Sequence, residues 1–359
     1  MPVSRPSFAS VSFSVALLAA ACETADRSSA RDAPRTTLAA LPGPGASMPP
    51  SVATSPPSSS VQSVGSGEST PEMTTAGVTP HPAIPDPYLT SRPLTARSIG
   101  HTSYVLKVKL DNGLAVAYKP RSKLPLGDRR YRGEIAAYRL GRALGLSNVP
   151  CAMPRIFAAS ELRATFTTKE AAEEFDRMAL VEPTGILRGA LIPWIDRYEE
   201  VPLEKGAARM RWERWLTDAK AEIPLADRPL ARALSTMLVF DYLTANWDRW
   251  SGGNVVRDGA TGTLLFVDND GAFYDLPPQS LARQAELLQR VLRFSRSLVA
   301  ALRDLDASTL RDVFGNEDGT QRLLPDQAIE QVNVRRRSVL AFIDAATTRW
   351  GEGLTLSFE

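Results

Sequence analysis

The stretch that most constrains this chain runs from Pro229 to Phe273. Its first part, residues 229–246, places Leu234, Met237, Leu238 and Tyr242 at helical spacing and predicts a strong helix. A polar loop with Asp248, Arg249 and Asn254 follows. Val255-Val256-Arg257, an Asp258-Gly259 turn and the apolar run Leu264-Leu265-Phe266-Val267 then read as a β-hairpin. Asp268-Asn269-Asp270-Gly271 closes the stretch. Hairpin closure brings Asp248 and Asn254 toward Asp268, although twenty residues separate the first from the last. Two carboxylates and an amide oxygen at one hairpin end make a hard-oxygen site suited to Mg²⁺ or Mn²⁺. Phosphoryl transfer depends on such a site, because its catalysis is mostly positioning and charge neutralisation. The same residues also have a plainer use. An Asp-Arg pair after a helix can be a capping salt bridge, and Asp-Asn-Asp-Gly is good turn chemistry.

Upstream segments bear on the choice. Residues 103–110 alternate, with Tyr104, Leu106, Val108 and Leu110 on one face, and Asp111-Asn112-Gly113 turns the chain into a returning strand over 114–119. On that strand Ala117 and Lys119 share a face. The small residue leaves room for a flat adenine while the ammonium reaches phosphates. By itself Lys119 reads first as a surface lysine on an edge strand. Gly100, within residues 98–103, marks a turn that could cover phosphates. Residues 134–146 read as a helix through Ala136, Leu140 and Leu144, with Gly145 at its end. Glu134 then falls in the first turn, where the helix dipole favours a carboxylate, and it is also able to pair with Lys119. Residues 178–183 and 189–195 are short apolar pieces suited to strands. Trp212 and Trp215 read as core anchors, and residues 281–305 and 327–348 as packing helices.

The first 87 residues are of another kind. Fourteen of the 27 prolines precede Tyr88, and the first tryptophan is Trp194. After Arg5, residues 11–21 form a short apolar core ending in small residues before Cys22, the pattern of an export signal too short to span a bilayer. Residues 18–22 resemble a bacterial lipobox, with Ala19 where such motifs usually carry Leu. That resemblance implies cleavage before Cys22, lipidation of its thiol, and an exported protein anchored to the cell-envelope membrane. The expected division is a signal segment over 1–22, a Pro/Ser/Thr/Ala-rich tether over 23–90 that cannot bury enough apolar surface to order itself, and a folded domain over 91–359. Cys22 and Cys151 are the only cysteines. Lipidation of the first leaves no intrachain disulfide. A formal charge of +2 supplies no basic field for a nucleic-acid partner, and none is expected.

With these pieces in order, the chain resembles the secretory-pathway kinases of the Golgi casein kinase and four-jointed type, and more distantly the HipA-like and phosphoinositide-kinase-like atypical kinases. The likeness rests on residues 111–120, 133–150, 240–250 and 264–273. It implies an α+β, two-lobed protein-kinase-like fold: a small antiparallel-sheet N-lobe with one helix (about 91–185) and a mostly helical C-lobe (about 186–359). It also implies a nucleotide site with Lys119 on the phosphates, Glu134 orienting it, and Ala117 and Gly100 nearby. Asp248 would be the catalytic base, and Asp268 the main ligand of Mg²⁺ or Mn²⁺ with ATP as cofactor. Asn254 resembles the metal-binding asparagine of the wider kinase set, one residue further from Asp248 than in HipA-like loops. Asp270 stands where the secretory kinases have glycine, either as a further ligand or as a turn cap.

Three activities are compatible with these residues. One is transfer of the γ-phosphoryl group to a hydroxyl of a protein or glycan. A second is a pseudokinase that binds nucleotide or a partner without turnover, and a third is transfer of AMP by a reversed nucleotide. The acceptor is not readable from the residues.

Overall fold

The computed structural model describes residues 86–100, 103–250, 253–275, 281–317, 319 and 321–359. The expected export signal, Cys22 and almost all of the tether lie outside the described residues.

A short helix α1 (Asp86–Thr90) leads into β1 (Pro93–Ser98), β2 (Leu106–Leu110) and β3 (Ala115–Pro120). Helix α2 (Arg130–Ala143), β4 (Met153–Ala158), α3 (Ala159–Arg163), α4 (Lys169–Met178) and β5 (Ile186–Pro193) follow. The five strands form one antiparallel sheet in the order β1-β2-β3-β5-β4. The expected turn joins β2 to β3: Gly113, at φ 88°, donates its N–H to the Leu110 carbonyl, and the Asn112 side chain accepts from Leu114. The alternation expected over 103–110 buries Tyr104, Leu106, Val108 and Leu110 in a small core with Tyr118, Phe157, Leu162, Phe175 and Leu191.

Three expectations change here. β5 pairs with both β3 and β4, so the small lobe ends after Pro193 rather than near residue 185. Residues 178–183 are no strand; they contribute one bridge, between Ala179 and Ser122. The small lobe also has more helix than expected, because α3 and α4 bury Leu162 and Phe175 in its core. Helix α2 turns its apolar face the other way, placing Ile135, Ala136 and Leu140 in the core of the larger lobe.

That lobe starts with β6 (Tyr198–Glu200) and α5 (Gly206–Thr217), and continues with α6 (Arg228–Thr244), β7 (Val255–Asp258) and β8 (Leu264–Phe266). It is completed by α7 (Ala282–Gln289), α8 (Arg296–Asp304), α9 (Ala307–Phe314), α10 (Asp326–Trp350) and α11 (Glu352–Thr355). The expected helix over 281–305 is thus two helices, divided where Ser295 caps α8 by accepting from the Leu298 N–H. Helix α6 is the axis of this lobe. Residues 234–244 are all buried, so its periodicity marks a helix packed on every side over its second half. Trp212 and Trp215 are buried as anticipated, and the Trp212 indole donates to the Leu203 carbonyl. The hairpin β7–β8 forms, with β6 added along β7. Its loop runs from Asp258 to Thr263 instead of turning tightly on Asp258-Gly259, since the Gly259 N–H is taken by the Arg197 carbonyl.

Gly189 lets β5 approach β3 beside Lys119. A methyl group there would stand 2.5 Å from the Lys119 carbonyl oxygen and 2.8 Å from the Pro120 Cα, and neither backbone atom has room to yield. Gly189→Ala is expected to destabilise the protein by about 1–3 kcal/mol in urea denaturation, the scale of an overpacked interior.

Candidate active site

Helix α6 ends because Ala245 adopts a left-handed conformation (φ 54°) and closes the last turn with its N–H on Asp241 and Tyr242. The chain turns out to Asp248, which is half-buried and whose N–H is received by the Asn246 side-chain oxygen. It then dives back in. Arg249 is fully buried, and its guanidinium reaches five acceptors: both Asp241 oxygens at 3.1 Å, the Asn254 carbonyl at 2.8 Å, the Val267 carbonyl at 2.5 Å and the Asn269 Oδ1 at 2.6 Å. The Asp-Arg pair is therefore no capping salt bridge between neighbours. Arg249 pairs with Asp241 in the last turn of α6, and Asp248 is half-buried beside it. Burial pushes the Asp241 carboxyl up to about 6, against the opposing pull of Arg249.

The loop and the hairpin are sewn together at the same place. Asn254 gives its Nδ2 to the Asp248 carbonyl at 2.9 Å, and its own carbonyl receives the Val267 N–H at 3.1 Å. Gly271 abuts the loop: a Cβ on it would lie 3.1 Å from the Asp248 Cβ. Asp268 sits between at φ 55°, a strained conformation of the sort functional turns retain. The proximity expected of Asp248, Asn254 and Asp268 is thus built by backbone pairing.

Lys119 enters from the sheet. It lies on β3, a central strand flanked by β2 and β5, and is buried, which removes the edge-strand surface reading. Its ammonium meets Glu134 at 2.5 Å, Asp268 at 2.5 Å and Asp270 at 3.3 Å. Glu134 stands in the second turn of α2, because the helix begins four residues before it, at Arg130. The dipole account of Glu134 therefore fails, and its partners explain its burial: the same oxygen that takes Lys119 also accepts the Asn269 N–H at 3.0 Å. Gly133 allows this approach, since a Cβ there would be 2.9 Å from the Asn269 carbonyl oxygen. Arg130 closes the cluster on Asp270 at 3.1 Å.

The charges do not cancel. Glu134, Asp268 and Asp270 face Lys119 and Arg130, leaving one negative charge in surplus. Burial alone would lower Lys119, but Asp268, Glu134 and Asp270 hold it well above the ordinary lysine range. Burial raises Glu134, with Asp268 and Asp270 adding to the rise against Lys119. Asp268 moves down: Lys119, Arg249 and Arg130 overcome its burial, and its side chain is 37 % exposed.

This donor set fits a divalent cation. Among the described residues no three His, Cys, Asp or Glu side chains form a cage for one. Mg²⁺ and Mn²⁺ held with a nucleotide need none, since one or two carboxylates and phosphate oxygens suffice. Asp268, partly exposed and ionised, and the Asn254 amide oxygen are the groups suited to it. Ala117 lies two residues before Lys119 on β3, as its spacing required. Gly100 is placed by topology, in the turn between β1 and β2. A Cβ there would lie 2.0 Å from the Ser103 carbonyl oxygen, so the turn needs glycine; the intervening 101 and 102 lie outside the described residues.

No family model and no curated protein matches this chain. Solved structures do. A crystal structure of the Golgi casein kinase aligns over 75 % of this chain and 77 % of its own, with a TM-score of 0.55 and 15 % identity. A second structure of it, with Mn and ADP bound, gives 0.56 at the same identity and coverage. Hydra Fam20 with sugar aligns at 0.52 and 17 % identity, over 74 % of this chain and 88 % of its own. The chain has the Fam20-type atypical kinase fold. The five-stranded sheet is its small lobe, and α6, its outgoing loop and the β7–β8 hairpin belong to the larger one.

Two roles were not foreseen. Arg249 was seen only as half of a local pair, and its signal was Asp241, eight residues earlier in the last turn of α6. Arg130 had no signal, because the helix was expected to begin after it. Arg249→Met is expected to cost about 3–5 kcal/mol, as for other ion pairs broken inside a protein, read by chemical denaturation. The raised Asp241 has a pH consequence. Its folded value lies above its unfolded one, so its stabilising contribution is full below about pH 4 and is lost as pH rises through 6. The melting temperature of the wild type relative to Asp241→Asn should therefore fall between pH 4 and pH 7; a difference that stays flat would contradict the assignment.

Proposed function

We propose that this chain is an ATP- and divalent-metal-dependent phosphotransferase that moves the γ-phosphoryl group to a hydroxyl acceptor, a protein Ser/Thr or a glycan. The observation that carries the reading is the junction of Lys119, Glu134 and Asp268 beside the loop of Asp248 and Asn254. A buried lysine, a carboxylate that fixes it and a half-exposed carboxylate on a strained turn are the parts phosphoryl transfer needs. The fold likeness supports it at the level of a kinase-like enzyme, and the Golgi casein kinase structure with Mn and ADP favours that nucleotide and metal class.

The roles follow from position. Lys119, kept charged by three carboxylates, holds nucleotide phosphates, and Glu134 fixes its direction from α2. Asp268 and Asn254 would hold Mg²⁺ or Mn²⁺, which when bound neutralises charge developing on the phosphates. Asp248, half-buried on the loop that Arg249 fastens, would receive the proton of the acceptor hydroxyl as the new P–O bond forms and the bond to the ADP leaving group breaks. The export signal and lipid on Cys22 expected from the sequence extend the proposal to an acceptor in the cell envelope.

The deciding experiment gives the full-length protein Mn²⁺ and ATP labelled at the α or the γ phosphate. Transfer of γ label alone, lost in Asp248→Asn, is the expected result. Transfer of α label would mean AMP transfer instead, and no transfer with nucleotide still bound would mean a pseudokinase. Asp268→Asn should abolish metal-dependent ATP binding in calorimetry. Asp248→Asn should keep that binding while turnover falls ~10²–10⁴-fold, the usual loss for a general base.

A further inference from the structure

Asp268 and Asp270 both contact Lys119, yet their surroundings differ. Asp268 offers Oδ1 to the lysine, and its side chain is 37 % exposed. Asp270 is 2 % exposed, and each of its oxygens has a cation: Oδ2 faces Lys119 at 3.3 Å and Oδ1 faces Arg130 at 3.1 Å. Turning Asp270 toward a metal would strip Arg130 of its partner as well as Lys119. Turning Asp268 would strip Lys119 of one carboxylate among three. Arg130 is the first residue of α2 and Glu134 lies one turn on, so the same helix supplies the Arg130 brace and the Glu134 carboxylate.

We propose that Asp270 is a positioning residue and not a metal ligand: braced by Arg130, it is the reserve anchor that keeps Lys119 in place when Asp268 is drawn away to the cation. The inference deepens the phosphotransferase reading and rests on it for its purpose, though the anchoring itself is a property of the nucleotide-free protein. Without the reserve anchor, the cation would compete with the lysine for Asp268, and binding the metal would loosen the group that holds the phosphates. With it, Glu134 and Asp270 still flank the ammonium from two sides.

The test reads Lys119 directly, as the rate at which an amine-acylating reagent modifies it, followed by peptide mass spectrometry on the nucleotide-free protein. Asp268→Asn should leave that rate within about twofold of wild type, while Asp268→Asn with Asp270→Asn should raise it about tenfold, the scale of one charge-assisted hydrogen bond lost. Arg130→Gln combined with Asp268→Asn approaches the same anchor from the solvent side and should also raise the rate. It guards against misfolding in the double variant, which circular dichroism would reveal. If Asp268→Asn alone reaches the rate of the double variant, Asp270 anchors nothing and the proposal fails.

A second readout separates positioning from ligation. For Asp270→Asn, Mn²⁺ affinity measured by electron paramagnetic resonance with ADP present should match wild type, while the KM for ATP rises more than kcat falls. Loss of Mn²⁺ affinity equal to that of Asp268→Asn would make Asp270 a ligand and overturn the proposal. Wild-type protein that binds no nucleotide would defeat the phosphotransferase reading, and the acylation rates would still decide the anchor.

Discussion

Arg249 is the point on which the site depends. One guanidinium fastens the end of α6, the loop carrying Asp248 and Asn254, the last strand of the hairpin and the Asp268–Gly271 turn. The loop and the turn are short and present few apolar atoms of their own. A loop of this kind costs about 1–2 kcal/mol of backbone entropy per residue to fix. Hydrogen bonds to a charged donor are each worth about 1.5–3 kcal/mol, so five on one side chain offset much of that cost at a single position. Lysine could not replace it, because a point charge has no planar fork to serve acceptors on four segments. The full burial of Arg249 requires a counter-charge, and Asp241 supplies one at the cost of its own raised pKa. Structural polarity thus stays inside the lobe, met by Arg249 and Asp241 rather than by Asp248.

The acidic socket around Lys119 uses the opposite logic. There the charges are deliberately out of balance, with three carboxylates against two cations. Such an excess is unfavourable in a closed protein, since like charges at these separations repel by several kcal/mol even in a moderately polar medium. It persists beside an aspartate at φ 55° whose side chain is 37 % exposed. Under the proposed function, Asp268 is the carboxylate of the three that would hold a divalent cation, which would supply the missing positive charge.

How far the residues announced this can be judged segment by segment. The hairpins were legible because Asn112-Gly113 and the alternation before it leave few alternatives, and α6 because its apolar spacing is unbroken from Leu234 to Tyr242. Lys119, Glu134, Asp248 and Asp268 were recognisable as candidates by their order along the chain. Contacts that cross between segments were not legible. Nothing in residues 130–134 says that Glu134 will meet both a lysine on a strand and an amide 135 positions away. The helix start was misplaced because Arg130, Tyr131 and Arg132 look like loop residues until their partners are seen. Periodicity also misled at residues 178–183 and 281–305, where short apolar runs fit a strand or a continuous helix equally well and tertiary packing chose otherwise.

Those partners explain why α2 belongs with the larger lobe. On its outer side Tyr131 donates to both oxygens of buried Glu317, Arg132 binds Glu317 and Gln321, and Arg139 caps the carbonyls of Phe314, Asn316 and Glu317. On its inner side Arg130 and Glu134 grip the Asp268–Gly271 turn. The helix is therefore clamped between two segments of the larger lobe, and its apolar face lies in that lobe's core. All three carboxylates that hold Lys119 ride on this clamped unit, whereas Lys119 rides on the sheet. The lysine is a peg from one lobe seated in a socket of the other. Moving the sheet away at this point means pulling an ammonium out of three carboxylates, so Lys119 ties the sheet to the Asp268–Gly271 turn and α2. Under the proposed function, the lysine that would meet the phosphates is thus placed by the fold rather than by binding.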